Sequence, residues 1–148
     1  MPYYIKNKKK ESKSKPDLVK KLDRVFALYI RLRDVMPNGY GKCISCGRIK
    51  PFAELQCGHY ISRRNMSTRF EPTNCNAECA ACNCFSADHL IGYRENLIAK
   101  IGKSAHDRLL VLSTQTKKWD YFEVEELIKY YKQEVRRLSA EKGINVKV

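Results

Sequence analysis

Apolar side chains recur every three or four residues near the start of the chain. This stretch begins at Pro16 and is broken by Met36-Pro37-Asn38-Gly39, and its apolar stripe consists of Leu18, Leu22, Val25, Phe26, Tyr29 and Leu32. A proline suits the first turn of a helix, and a stripe with this period is typical of a helix that packs against a core. The pattern predicts an N-terminal helix over residues 16–36.

Three similar stripes follow residue 89 and predict a helical C-terminal region. The first of these helices is expected to end at Gly102. Ser104 is expected to cap the second helix, and Asp120 is expected to cap the third helix, which ends at Gly143. The third stripe consists of Phe122, Leu127, Ile128, Tyr131, Val135 and Leu138. We assign residues 103–142 to a C-terminal helical segment.

In the middle of the chain, apolar positions recur at a shorter period than in the helical stretches, which indicates strands. The stretch from Glu54 to Ile61 alternates between apolar and polar positions, and a second brief strand is expected around residues 74–77. A further helix is expected to begin at Cys79 and to run to about residue 89. The predicted fold class is therefore α+β, with a small core over residues 40–102 flanked by N-terminal and C-terminal α-helices.

The chain is strongly basic, with a formal net charge of +13 over 148 residues. The electrostatic field of so large a positive charge attracts polyanions. Nucleic acid is therefore the favoured partner, and an anionic membrane surface comes second. Part of the charge lies in a basic tail over residues 1–15, where Lys8, Lys9 and Lys10 are candidates for contacts with DNA phosphates. A tail that only improves solubility is an equally weighted alternative.

Neither a membrane span nor a secretory signal is expected. No apolar run approaches the roughly 20 residues that a membrane-spanning helix requires, and the N-terminus lacks the long apolar segment of a signal peptide. The odd number of cysteines, seven, argues against complete disulfide pairing. Their thiols are therefore interpreted as metal ligands or reduced side chains of a protein in a reducing cytoplasm.

Two Cys-x-x-Cys pairs lie within the predicted core, Cys43 with Cys46 and Cys79 with Cys82. Thiolates are soft ligands, and this spacing lets both sulfurs of a tight turn reach one ion. The four cysteines therefore predict a tetrahedral structural zinc site. The remaining thiols are interpreted as small buried hydrophobic groups, any of which could replace a zinc ligand. They belong to Cys57, Cys75 and Cys84.

A histidine and two asparagines accompany these cysteines. His59 is expected to close the first strand, Asn74 lies at the start of the second, and Asn83 directly follows the second cysteine pair. This order, and the spacing from Asn74 to Cys79, match the His-Asn-His (HNH) pattern of ββα-metal nucleases. The motif predicts a zinc-stapled, HNH-like core whose catalytic set is His59, Asn74 and Asn83.

Further segments carry a more specific likeness: Tyr29-Ile-Arg-Leu-Arg-Asp34, Cys43-Ile-Ser-Cys46-Gly47, Gly58-His59-Tyr60, Arg69-Phe70 and Tyr93-Arg94. Over about residues 18–138 the chain resembles the phage NinG (Rap) recombination proteins. The resemblance implies a nuclease that acts on branched DNA, such as Holliday junctions, during phage homologous recombination. It also implies that the compartment is the cytoplasm of a bacterial host.

The predicted residues suit phosphodiester hydrolysis. Neutral His59 can accept a proton from water, because the ordinary pKa of histidine lies near working pH. A divalent cation, Mg²⁺ or Mn²⁺, would neutralise the phosphate, and the amide oxygen of Asn83 matches a ligand position for it. Asn74 is expected to pin the loop and help to orient His59. The candidates for phosphate binding, with a solvated basic loop as the alternative, are Arg63, Arg64 and Arg69.

The sequence departs from the HNH pattern just before the histidine. Many HNH enzymes have an aspartate ligand at that position, whereas this chain has Gly58. The cation therefore lacks an obvious full set of ligands, and the candidates to complete it are Glu78, Asp88 and His89. His89 and His106 are otherwise expected on helix surfaces.

Two other functions stay open at this point. The first is a non-catalytic zinc-containing module that binds DNA or scaffolds a recombination complex, and the second is RNA binding or cleavage. The set of His59, Asn74 and Asn83 favours the nuclease, because a binding module has no reason to hold these residues at this spacing. A homodimer would suit a symmetric junction, although no interface can be identified from the sequence.

Overall fold

The computed structural model describes residues 13–148, and the candidate DNA contacts Lys8, Lys9 and Lys10 lie outside this range. The described residues form five α-helices and two separate two-stranded antiparallel sheets, which confirms the predicted α+β class. In chain order the elements are α1 (Lys15–Asp34), β1 (Tyr40–Lys42), β2 (Ile49–Pro51), β3 (Leu55–His59), β4 (Cys75–Cys79), α2 (Ala80–Phe85), α3 (His89–Ile101), α4 (Lys103–Ser113) and α5 (Tyr121–Lys142).

The long helices α1 and α5 pack together and form most of the main core. The Phe26 ring lies edge-on to Tyr131 of α5 and to Phe70, with centroid distances of 5.0 and 5.8 Å. The predicted ends of α5 are confirmed, since Asp120 and Glu123 form a reciprocal capping box and Gly143 has a left-handed backbone with φ of 66°. The two helices thus form a scaffold behind the central strands.

The hairpin of β3 and β4 lies between α1 and α3. Cys75 of β4 packs in the same core cluster as the apolar face of α1. Asn76 lies on the opposite face of β4, and its side-chain amide donates to the Tyr93 hydroxyl of α3 at 3.2 Å. Asp34, at the end of α1, accepts from the Ala77 amide at 2.8 Å. Arg33 donates to the Cys75 carbonyl at 2.7 Å. These contacts hold the hairpin against both helices.

Three details of the helices differ from the sequence predictions. Helix α2 ends at Phe85, so the stretch from Cys79 to residue 89 is not one helix. Gly102, with φ of 86°, is the N-cap of α4, which places Ser104 inside that helix. His106 is buried, not superficial, and its Nε2 lies 3.1 Å from the Tyr60 hydroxyl. Packing of α4 against the end of the hairpin explains this burial. None of the helices between residues 13 and 148 combines the length and the hydropathy that a membrane span requires.

Candidate functional site

The thiols of Cys43, Cys46, Cys79 and Cys82 form one cluster, with all four sulfurs within 4.8 Å of one another. The loop between β1 and β2 supplies the first pair, and the end of β4 with the first turn of α2 supplies the second. Gly47 directly follows the first pair, and its positive φ of 75° allows the tight turn that brings Cys43 and Cys46 together. The cluster could hold a metal ion such as zinc, which is bound well by four thiolates.

Backbone amides point at these sulfurs. The Cys79 amide donates to Cys43 Sγ at 3.3 Å. Burial acts to raise the pKa of the Cys46 thiol, but hydrogen bonds from the Arg48 amide and the neighbouring cysteines outweigh it and leave the pKa lowered. Amides that donate to sulfur stabilise the thiolate, which is the form that binds a metal. Burial instead raises the pKa of the Cys43 and Cys82 thiols, so the suitability of the cluster for a cation rests on its four sulfur donors and their geometry.

An open cleft of about 670 Å³ lies between the end of β3, the loop that follows it, α2 and the start of α3. Nine residues between positions 59 and 89 were proposed for catalysis, phosphate contact or binding of the catalytic cation, and the cleft brings six of them together. Those that line it are His59, Asn83, Arg63, Arg64, Arg69 and His89. Asn74 does not line the cleft and is buried behind it.

His59 is half-buried at the end of β3 and its ring is held by the backbone. The imidazole Nε2 lies 3.0 Å from the Arg69 carbonyl oxygen. A carbonyl can only accept, so Nε2 carries the hydrogen and Nδ1 of the neutral ring carries the lone pair. Burial lowers the pKa of the His59 imidazole, since it disfavours the charged form. The ring is therefore prepared as a neutral proton acceptor.

Asn74 ties together the loop that carries this carbonyl. Its Oδ1 accepts from the Ile61 amide at 2.7 Å, and its Nδ2 donates to the carbonyls of Ile61 and Thr68 at 3.0 and 3.1 Å. All three partner groups lie in the segment between β3 and β4. The side chain thereby fixes the loop that presents the Arg69 carbonyl to His59.

Asn83 reaches the cleft from α2. Its Nδ2 donates to Gln56 Oε1 at 2.8 Å, which sets the orientation of the amide. Among the described residues, Oδ1 has no hydrogen-bond partner. The oxygen is therefore available to a cation or a substrate.

Glu78 is fully buried beneath the cleft and holds His89. Its Oε1 accepts from the Ser45 hydroxyl at 2.7 Å and lies 2.5 Å from His89 Nδ1. His89 is thus a cleft residue whose side chain is only 17% exposed, and the expectation of a surface position was wrong. Glu78 Oε2 is buried without a partner among the described residues. Asp88, the third candidate, is exposed and does not line the cleft.

Gly58 makes room for this buried carboxylate. A Cβ atom at position 58 would lie 2.1 Å from Glu78 Oε2 and 2.8 Å from Glu78 Cβ. An aspartate at this position would therefore clash with Glu78, whose side chain fills the space from the facing strand β4.

We predict that Gly58→Ala lowers the free energy of unfolding by about 1–3 kcal/mol, because the added carbon displaces Glu78 and with it His89. Urea unfolding of the purified protein measures this change. The same substitution made in a Glu78→Ala background should cost less, since the contact with Oε2 is gone. Equal costs in the two backgrounds would contradict the assigned contact.

The three arginines of the cleft differ in their availability. Arg69 forms a two-pronged ion pair with Asp23 of α1, with Nε to Oδ1 at 3.0 Å and Nη2 to Oδ2 at 2.5 Å. It also donates to the Arg63 carbonyl at 3.1 Å. Arg63 and Arg64 are exposed, so their guanidinium groups are the freer ones for phosphate.

Two cysteines near His59 form a grouping that the sequence analysis missed. The ligand atoms of Cys57, His59 and Cys75 all lie within 4.8 Å of one another. Cys57 and His59 share a face of β3, and His59 pairs directly with Cys75 across the hairpin. The alternation of the strand was a usable signal, but the register was not known from sequence. Cys84 is exposed, contrary to the expectation that it packs as a buried group.

Several proteins of bacteriophages are similar to the chain. A family model described as "Bacteriophage Lambda NinG protein" matches residues 3–141. The protein ninG of Escherichia phage lambda is 31% identical over 107 residues, which are 71% of this chain and 50% of that protein. The ninG proteins of Salmonella phage P22 and Escherichia phage 933W have the same identity and coverage. The chain thus spans about half the length of these relatives. No solved structure matches it significantly.

Proposed function

The chain belongs to the bacteriophage lambda NinG family, and from this premise and the geometry of the cleft we propose that it is an HNH-type endonuclease. Its substrate would be branched DNA in phage homologous recombination. One observation carries the proposal: the Arg69 carbonyl holds a half-buried His59 in a cleft that Asn83 enters from the helix after the hairpin. A strand-ending histidine facing a helical amide is the arrangement expected of a ββα-metal nuclease.

His59 acts as the general base in this proposal. Its Nδ1 accepts a proton from the water that attacks the phosphate, and the charge that develops on the ring is stabilised by the bond from Nε2 to the Arg69 carbonyl. Asn74 is a positioning residue. It keeps that carbonyl in place through its bonds to Ile61 and Thr68.

The residues that would hold a catalytic cation are Asn83 and His89. Asn83 offers a free amide oxygen, and His89 offers Nε2, because Glu78 engages Nδ1. A buried carboxylate behind a histidine fixes the tautomer and raises the basicity of the ligand nitrogen. The unpartnered Oε2 of Glu78 adds negative charge beneath the cleft, which favours a cation there. A bound Mg²⁺ or Mn²⁺ would neutralise the phosphate and the departing 3′-oxygen.

DNA binding is assigned to the basic loop and to the overall charge. Arg63 and Arg64 are exposed at the rim of the cleft, where they can bind phosphate next to the scissile bond. The net charge of +13 attracts the duplex, and Lys8, Lys9 and Lys10 would extend the contact. The choice of branched DNA rests on the resemblance to recombination proteins, and a homodimer would present two cleavage sites to a symmetric junction.

Purified protein incubated with four-way junctions, forks and linear duplex tests this function. We expect cleavage with Mg²⁺ or Mn²⁺ that stops when the added cation is omitted, with a preference for the branched substrates. Asn83→Ala should bind the junction as the wild type does but require a higher concentration of cation, by about 10–100-fold. Junction binding with no cleavage of any substrate would reject the nuclease and favour the non-catalytic scaffold.

A further inference from the structure

Cys57, His59 and Cys75 form a compact group apart from the four-cysteine cluster. Leu55 pairs with Cys79 at one end of the hairpin, where the four cysteines meet, and His59 pairs with Cys75 at the other. Four residue steps separate these two pairs, which is roughly 13 Å at about 3.3 Å per residue, and Cys57 lies midway between them. Neither group can share an ion with the other.

The donor set of this second group suits a soft transition-metal ion. Two sulfurs and one imidazole nitrogen already lie within 4.8 Å of one another. Ligand atoms of a tetrahedral zinc ion are roughly 3.7 Å apart, given Zn–S distances of about 2.3 Å, so shifts of about 1 Å would close the site. Two thiolates also balance the charge of a divalent ion, which limits the cost of placing it beside a core.

The site has an entrance and an open position. Cys57 and His59 line the cleft, whereas Cys75 is fully buried at its inner side. An ion could therefore enter from solvent, and water in the cleft could supply the fourth ligand. Zinc sites with three protein ligands keep the fourth position open to water or another ligand, in contrast to closed four-cysteine sites.

We propose that Cys57, His59 and Cys75 bind a second, exchangeable soft metal ion such as Zn²⁺, and that this ion blocks His59. A neutral imidazole has one lone pair in the plane of its ring, so an ion bound at His59 removes the only proton acceptor that the ring offers. Zinc would then inhibit DNA cleavage while the structural site stays filled. The inhibition rests on the proposed nuclease function, whereas the binding does not.

Titration of the full chain, already loaded with one equivalent of zinc, with Co²⁺ tests the binding. We expect the wild type to take up a second equivalent with the charge-transfer absorption of a cobalt thiolate. Cys57→Ala and His59→Gln should weaken this uptake by at least about tenfold. Cys84→Ala is the matched control, since Cys84 is a thiol outside both groups. Uptake that ends at one equivalent, or a Cys57→Ala titration identical to that of the wild type, would overturn the proposal.

Cleavage assays at fixed Mg²⁺ with increasing Zn²⁺ test the inhibition. The wild type and Cys84→Ala should lose activity at the zinc concentration that fills the second site, and Cys57→Ala should require about tenfold more. Equal sensitivity of all three proteins would overturn the inhibitory role. Absence of cleavage without added zinc would instead count against the nuclease function, and the cobalt titration would still decide whether the site exists.

Discussion

Replacing Cys79 with serine is expected to unfold the central hairpin and to abolish tight zinc binding. Cys79 is the last residue of β4, is only 3% exposed to solvent and contributes one of the four clustered sulfurs. Structural zinc contributes about 10–16 kcal/mol of apparent binding free energy in small domains, which is as large as the whole stability of a typical protein. The small sheets here have five-residue and three-residue strands and cannot replace that contribution.

The loss should be uneven across the molecule. Helices α1 and α5 share an extensive apolar core, so part of their helical circular dichroism should survive, while the hairpin becomes sensitive to proteases. Metal analysis of the wild type should find about one tightly held zinc per chain. Cys84→Ala, at an exposed thiol, is the control and should retain both zinc and stability. A Cys79→Ser protein that lacks zinc but melts like the wild type would exclude a structural role for the ion.

His59→Ala is expected to have the largest effect on the proposed reaction, a loss of about 10²–10⁴-fold in the rate of DNA cleavage. The substitution removes the proton acceptor from the cleft and leaves the exposed Arg63 and Arg64 in place. Affinity for a four-way junction should therefore stay close to that of the wild type. Single-turnover cleavage and a binding titration on the same substrate separate the two effects.

His59→Gln controls for the structural role of the ring. Its amide can still donate to the Arg69 carbonyl, so it should preserve the loop better than alanine does, yet it cannot act as a base. We expect both variants to be equally slow although the glutamine variant is the more stable. Cleavage by His59→Gln at the wild-type rate would exclude His59 as the general base.

The parts of this fold that depend on residues close together in the sequence were predictable. The capping box of Asp120 and Glu123 joins residues three apart, and each Cys-x-x-Cys knuckle is closed within one turn. The periodic stripes likewise placed α1 and α5 to within a few residues. Such interactions need no knowledge of the tertiary structure, because the chain between the partners is too short to place them elsewhere.

The electrostatic surroundings of the cleft were not predictable in this way. His89 and His106 looked superficial in sequence, yet one is held by Glu78 and the other by Tyr60, 46 residues away along the chain. Arg69, expected to face phosphate, pairs with Asp23 of α1, also 46 residues distant. These assignments depend on how helices dock on the hairpin, and hydrophobic periodicity does not specify which polar groups meet.

By itself, the sequence determined the α+β class, the four cysteines that cluster and the order of His59, Asn74 and Asn83. Short-range spacing and ligand chemistry suffice for these features. Only the tertiary structure decided that Glu78 fills the space beside Gly58, and that Cys57 and Cys75 meet at His59. The physical reason is strand register: a shift of one residue would turn every side chain of β3 to the other face, and only the packed hairpin determines which faces meet.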